Sequence, residues 1–125
     1  MKVTGSKLVD SSVWLEYLLK GSFRDLIEEE EIFLLSAISL FEIKKKLAKS
    51  SLPLDVVTHS INFIKRKSLI ISIDYELAEY AAEISVQNHL GAADSLIYAC
   101  TLKQKATLIT LDNDFRGLNS VMILD

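Results

Sequence analysis

Four short apolar runs, Lys7-Leu8-Val9, Ile32-Phe33-Leu34-Leu35, Leu69-Ile70-Ile71-Ser72-Ile73 and Ala106-Thr107-Leu108-Ile109-Thr110, are separated by longer segments whose apolar residues recur at helical spacing. A fifth run, Val121-Met122-Ile123-Leu124, follows. This alternation restricts the fold severely. Short runs that are apolar throughout read as strands buried on both faces, and strands divided by helices pair in parallel with helices covering each side. The expected class is α/β, with a central, mostly parallel, roughly five-stranded sheet between helical layers.

The residues between the runs agree with that reading. Ser11-Ser12 supply capping chemistry ahead of a helix that carries Val13, Trp14, Leu15, Tyr17, Leu18 and Leu19. Gly21-Ser22 break it, and Phe23 to Glu31 suggests a second short helix with Glu28 to Glu31 as a solvated acidic face. Ser36 and Ser39 are alternative caps for a helix through Leu40, Ile43 and Leu47, and Pro53 precedes one from about Leu54 to Lys67. Asp74 is placed to cap a helix whose inward face would be Leu77, Tyr80, Ala81 and Ile84, and after Gly91 another runs from Ala92 to about Gln104.

A length of 125 residues, half of them hydrophobic, suits one domain over 1–125 with a substantial core. No apolar run approaches the roughly 18 residues that span a bilayer, and Met1 to Lys7 lacks a signal peptide's apolar stretch, so the expected location is cytoplasmic, with no membrane partner. Cys100, the one cysteine, sits among Leu96, Ile97 and Leu102 and reads as a buried apolar residue. A net charge of −3 argues against a protein that coats nucleic acid over its whole surface, while leaving room for a local basic strip.

The chemistry lies in four scattered acids. Asp10 follows the first strand directly, Asp112 stands just beyond the fourth, and Glu42 and Asp94 fall in the first turns of helices. In this architecture strand C-termini and helix N-termini share an edge. Carboxylates gathered there repel one another unless a divalent cation sits among them, and an all-oxygen donor set suits Mg²⁺ or Mn²⁺ rather than Zn²⁺. Metal-assisted phosphoryl chemistry is the reaction class this implies. Each acid also has an ordinary structural explanation: Asp10 as a helix cap, Ser39 and Glu42 as a capping box, Asp94 as a helix-dipole partner, and Asp112-Asn113-Asp114 as a turn.

Leu8-Val9-Asp10-Ser11-Ser12-Val13-Trp14, Ser39-Leu40-Phe41-Glu42-Ile43, Gly91-Ala92-Ala93-Asp94-Ser95-Leu96-Ile97-Tyr98-Ala99 and Leu108-Ile109-Thr110-Leu111-Asp112-Asn113-Asp114-Phe115 resemble the successive motifs of the PIN domain. Length and motif order resemble the VapC toxins of prokaryotic toxin–antitoxin pairs. The resemblance implies a three-layer α/β/α sandwich and a Mg²⁺-dependent ribonuclease. It makes Asp10 and Asp94 direct metal ligands, with Glu42 and Asp112 completing the pocket and Asp114 as the alternative fourth acid. Ser12 matches the small polar residue that supports the first Asp by hydrogen bonding; a helix cap is its other reading. A small antitoxin over the acidic groove, and a homodimer built from helices of the N-terminal half, are implied as well.

RNA must also be held. Lys44, Lys45, Lys46 and Lys49 follow Glu42 on one helix, and Lys45 and Lys49 share a face from which they could reach phosphates; Lys65-Arg66-Lys67 reads as cations at a helix C-terminus. His59 and His89 are isolated, with a surface role as default, and Trp14, Tyr17 and Phe41 read as core or partner interface. Two other functions share the pattern: a non-catalytic, Mg²⁺-binding regulatory or interaction domain, and a PIN-like nuclease of RNA processing or one directed at DNA.

Overall fold

The computed structural model describes residues 5–125; the first four residues of the expected domain and N-terminal lead lie outside the described residues. Its elements are β1 (Lys7–Val9), α1 (Ser11–Lys20), α2 (Arg24–Ile27), β2 (Phe33–Ser36), α3 (Ala37–Ala48), α4 (Leu54–Lys67), β3 (Ser68–Ile71), α5 (Tyr75–Asn88), α6 (Ala92–Lys103), β4 (Thr107–Thr110) and β5 (Val121–Ile123), with one 3₁₀ turn at Asn113–Phe115. The five strands form one sheet in the order β3-β2-β1-β4-β5, and every pairing is parallel.

Strand alternation divides the interior into two cores. Leu8, Leu108, Leu34, Ile71 and Val121 face a cluster built with Leu77, Ala81 and Ile84 of α5 and Ile97 and Cys100 of α6. Their neighbours Val9, Ile109, Phe33, Leu35, Ile70 and Met122 face the opposite cluster, with Val13 and Trp14 of α1, Ile43 and Leu47 of α3 and Val57, Ile61 and Ile64 of α4. Single-residue alternation between two apolar layers is what a strand covered on both faces requires. The result is the expected three-layer α/β/α sandwich. Cys100 is fully buried, as its setting in the sequence suggested. Among the described residues no helix is long and apolar enough to cross a membrane.

The structure corrects several local expectations. The helix expected from Phe23 to Glu31 is only the single turn Arg24–Ile27. Four consecutive acids at a helix C-terminus repel one another and oppose the helix dipole, and they are also drawn elsewhere. Lys7 Nζ lies 2.7 Å from Glu31 Oε1 and 3.7 Å from Glu29 Oε2, while Lys67 Nζ donates to the Glu29 and Glu31 carbonyls. Glu31 is thus half-buried in an ion pair rather than part of a freely solvated face. The third strand ends at Ile71 instead of Ile73 and lies on the sheet edge with Leu69 exposed. Tyr80 points outward although Leu77, Ala81 and Ile84 on the same helix are buried. Of the two readings of Phe41, core or partner interface, the core one fails: it is 58% exposed, with Lys45 Nζ above its ring at 5.8 Å.

Candidate metal centre

The chain lays down β1, β2 and β3 outward in one direction, then crosses to place β4 and β5 on the other side of β1. Strand order therefore reverses between β1 and β4, and in open α/β sheets the crevice outside the strand C-termini at such a point is where ligands bind. Asp10 stands at the end of β1 there, and Asp112 just past β4. Glu42 is delivered by α3 from one helical layer, and Asp94 by the first turn of α6 from the other. Asp94, Asp112 and Asp114 come together there, with Asp10 and Glu42 beside that group rather than within it.

Asp10 is the most enclosed, at 4% exposure. Its Oδ1 accepts from the Ser11 backbone N–H at 2.9 Å, and its Oδ2 accepts from Thr110 Oγ1 at 2.7 Å and Ser12 Oγ at 2.8 Å. Thr110 Oγ1 accepts in turn from the Asp112 N–H at 3.0 Å, and Ser12 Oγ from the Leu111 N–H at 3.1 Å. One network thus ties the end of β1 to the end of β4. Asp10 is also the N-cap of α1, so its structural and site readings hold together. Burial pushes its carboxyl above the usual range, the hydroxyl donors pull against that, and Asp112 adds repulsion.

Carboxylate oxygens of Asp94, Asp112 and Asp114 all lie within 4.8 Å of one another. Burial, followed by repulsion from Asp112, Asp10, Asp114 and Glu42, raises Asp94 to about 6. Glu42 is raised first by burial, with Asp10 and Asp112 contributing, while Ser11 Oγ opposes the shift by donating to its Oε1 at 3.0 Å. Among the described residues no Lys, Arg or His forms an ion pair with any of these five acids. The capping-box explanation of Glu42 does not hold: Ser36 caps α3 by accepting from the Ile38 N–H, and Ser39 lies inside the helix, buried, with no partner for its hydroxyl among the described residues. Asp112 and Asp114 need not be alternatives, since both stand beside Asp94, Asp112 Oδ1 accepting from the Asp114 N–H.

This donor set fits a hard divalent cation. An octahedral ion with ligands at about 2.1 Å places their oxygens roughly 3 to 4 Å apart, so the three oxygens close on it with a small side-chain movement. No His or Cys belongs to the group, which disfavours zinc. Lys45 is exposed on α3 and Lys49 at its C-cap, both outside the acid cluster. His59 is exposed on α4, and His89 ends α5 in a left-handed conformation. A cleft of about 750 Å³ beside β4 and β5, lined by Phe23, Leu26, Ile109, Met122 and Leu124, contains none of the five acids. Ser11 and Thr110 are the contributors that the residue pattern alone did not single out. Thr110 had one local signal, a polar residue closing an otherwise apolar run two positions before an acid.

The fold agrees with the comparisons. The chain belongs to the PIN domain family, whose model matches residues 7–120. Among solved structures it is similar to a toxin–antitoxin complex from Klebsiella pneumoniae, with TM-score 0.80, 20% identity and coverage of 94% of this chain and 96% of that one. It is similar also to VapBC2 from Rickettsia felis bound to a promoter DNA fragment (TM-score 0.76, 16% identity, 96% and 98% covered). A third is VapC20 from Mycobacterium tuberculosis, described as a sarcin–ricin loop cleaving toxin (TM-score 0.71, 17% identity, 91% and 95% covered). No curated protein sequence matches the chain.

Proposed function

We propose that this protein is a Mg²⁺-dependent endoribonuclease and the toxin of a toxin–antitoxin pair. The observation that carries the reading is the group of Asp94, Asp112 and Asp114 at the strand-order reversal, with Asp10 and Glu42 close enough to repel Asp94 and no cation among the described residues paired with any of them. Asp10, Glu42, Asp94 and Asp112, with Asp114, would hold Mg²⁺, for which Mn²⁺ could substitute. Bound there, the ion supplies water activation and neutralisation of charge on the leaving oxygen. The protein's own part is positional. Ser12 and Thr110 fix Asp10, the backbone of the β4 turn sets Asp112 and Asp114, and α6 delivers Asp94. The chemistry requires no side-chain nucleophile. Lys45 and Lys49 would contact RNA phosphates beyond the acids.

Support for the toxin assignment comes from the coverage of nearly whole chains by toxins solved with their antitoxins; a small antitoxin and a homodimer are the partners this implies, and the cytoplasm the location. The regulatory-domain alternative loses ground because phosphoacceptor folds of the doubly wound type order their strands 2-1-3-4-5, whereas this sheet runs 3-2-1-4-5. Incubating the purified chain with RNA or single-stranded DNA, in Mg²⁺ or in EDTA, is the direct test. We expect RNA cleavage only with metal, and its abolition by Asp94→Asn in a variant that still melts cooperatively. Undiminished cleavage by pure Asp94→Asn would overturn the mechanism, and cleavage of DNA alone would reassign the substrate.

A further inference from the structure

The β1–α1 turn carries two consecutive serines that serve different acids. Ser12 Oγ donates to Asp10 Oδ2 at 2.8 Å, whereas Ser11 Oγ reaches across to Glu42 Oε1 on α3 at 3.0 Å, 31 residues along the chain. Ser11 is the first residue of α1, where a side chain is not committed to the helix and can turn outward. Glu42 stands in the opposite situation. It lies on a helix with Lys45 and Lys46 three and four residues later, the spacings at which a glutamate ordinarily finds its cation. Among the described residues it pairs with neither: Lys45 lies over the Phe41 ring, and Lys46 makes no ion pair. A flexible glutamate loses rotamer freedom on being fixed, so a donor that fixes it beforehand favours whatever uses it in that position.

We propose that Ser11 is a positioning residue for the metal centre: its hydroxyl holds Glu42 on the side of Asp10, away from Lys46, and so raises the affinity of the acid cluster for a divalent cation. This rests on the reading of Glu42 as part of that centre. The alternative is that the bond merely stitches α1 to α3, and the two differ in what is lost when it is removed. A stitch contributes to metal-free stability; a positioning bond contributes to metal affinity. Outer partners of metal ligands are typically worth 10–100-fold in affinity.

The test is calorimetric titration of Mn²⁺ into the full metal-free chain, beside thermal melts in EDTA, for wild type, Ser11→Ala and Ser11→Thr. We expect Ser11→Ala to bind Mn²⁺ about tenfold more weakly while melting in EDTA close to wild type, Ser11→Thr to restore affinity, and Lys46→Ala added to Ser11→Ala to recover part of the loss. Wild-type affinity in Ser11→Ala, or lost melting stability with affinity intact, overturns the assignment while the metal centre stands. Absence of Mn²⁺ binding by the wild-type chain removes the metal centre, and the role of Ser11 with it. Should Ser11→Ala not fold, Ser11→Thr against Ser11→Val makes the same comparison.

Discussion

At the scale of single residues, the centre is held by hydroxyls as much as by carboxylates. Thr110 is fully buried, donates to Asp10 Oδ2 and accepts from the Asp112 N–H, so one side chain sets the spacing between two acids. Thr110→Val conserves volume but deletes the donor to a buried carboxylate and the acceptor for a backbone N–H. We expect a loss of about 1–3 kcal/mol in denaturant unfolding, with weaker Mn²⁺ binding; unchanged stability would show that water replaces the hydroxyl. Asp10, Asp112 and Asp94 could be found from sequence because each stands at a strand end or helix start, a relation visible within a few residues, whereas Glu42 lies in the second turn of α3 and not in the first turn expected of it. Thr110 and Ser11 were harder. Their partners lie 100 and 31 residues away, and hydrogen bonds over such separations leave no local periodicity.

At the scale of elements, apolar spacing located every strand and the long helices, because burial on one or both faces repeats with a fixed period. It failed where the outcome depended on what the chain meets in three dimensions. Nothing near Glu31 in sequence announces Lys7 and Lys67, which draw this segment out of helical form. Tyr80 obeys the inward spacing of α5 yet falls at the margin of its buried face. Helix ends were more legible. Asp74 caps α5 by accepting from the Leu77 N–H at 2.8 Å, and Gly21 ends α1 at φ 72°, with its N–H directed to the Glu16 and Tyr17 carbonyls. A methyl group at Gly21 would meet nothing within 4 Å, so Gly21→Ala tests conformation alone. We expect it to cost about 1 kcal/mol, read as a lowered denaturation midpoint with an unchanged slope.

At the scale of the whole molecule, the acid cluster couples stability to pH and to metal. Asp94 is raised to about 6, and Asp10 and Glu42 are also raised, burial being the largest cause in each. Between the unfolded pKa near 4 and the folded one, the native protein keeps protons that the unfolded chain has released. The metal-free protein therefore loses stability as pH rises through that interval, and the loss persists above it. For the half-exposed Asp94 this is on the order of 1 kcal/mol after allowance for solvent screening. A bound cation reverses the sign, because it selects the ionised acids. Melting wild type and Asp94→Asn in EDTA across this range should show Asp94→Asn gaining on wild type as pH rises; near neutral pH, Mg²⁺ should raise the wild-type midpoint and leave that of Asp94→Asn nearly unmoved. Wild type gaining on Asp94→Asn as pH rises would contradict the sign.

β1 sits at the middle of the sheet, yet β4, the strand that completes its hydrogen bonding and supplies Thr110, comes almost last in the chain. Synthesis runs from the other end. While the ribosome is still making the first hundred residues, Asp10 has no Thr110, the cluster has no Asp112 or Asp114, and β1 has one open edge. On the function proposed here, a chain broken off ahead of β4 carries no assembled cutting centre, and the cell making it meets the nuclease only once Thr110, Asp112 and Asp114 have been made.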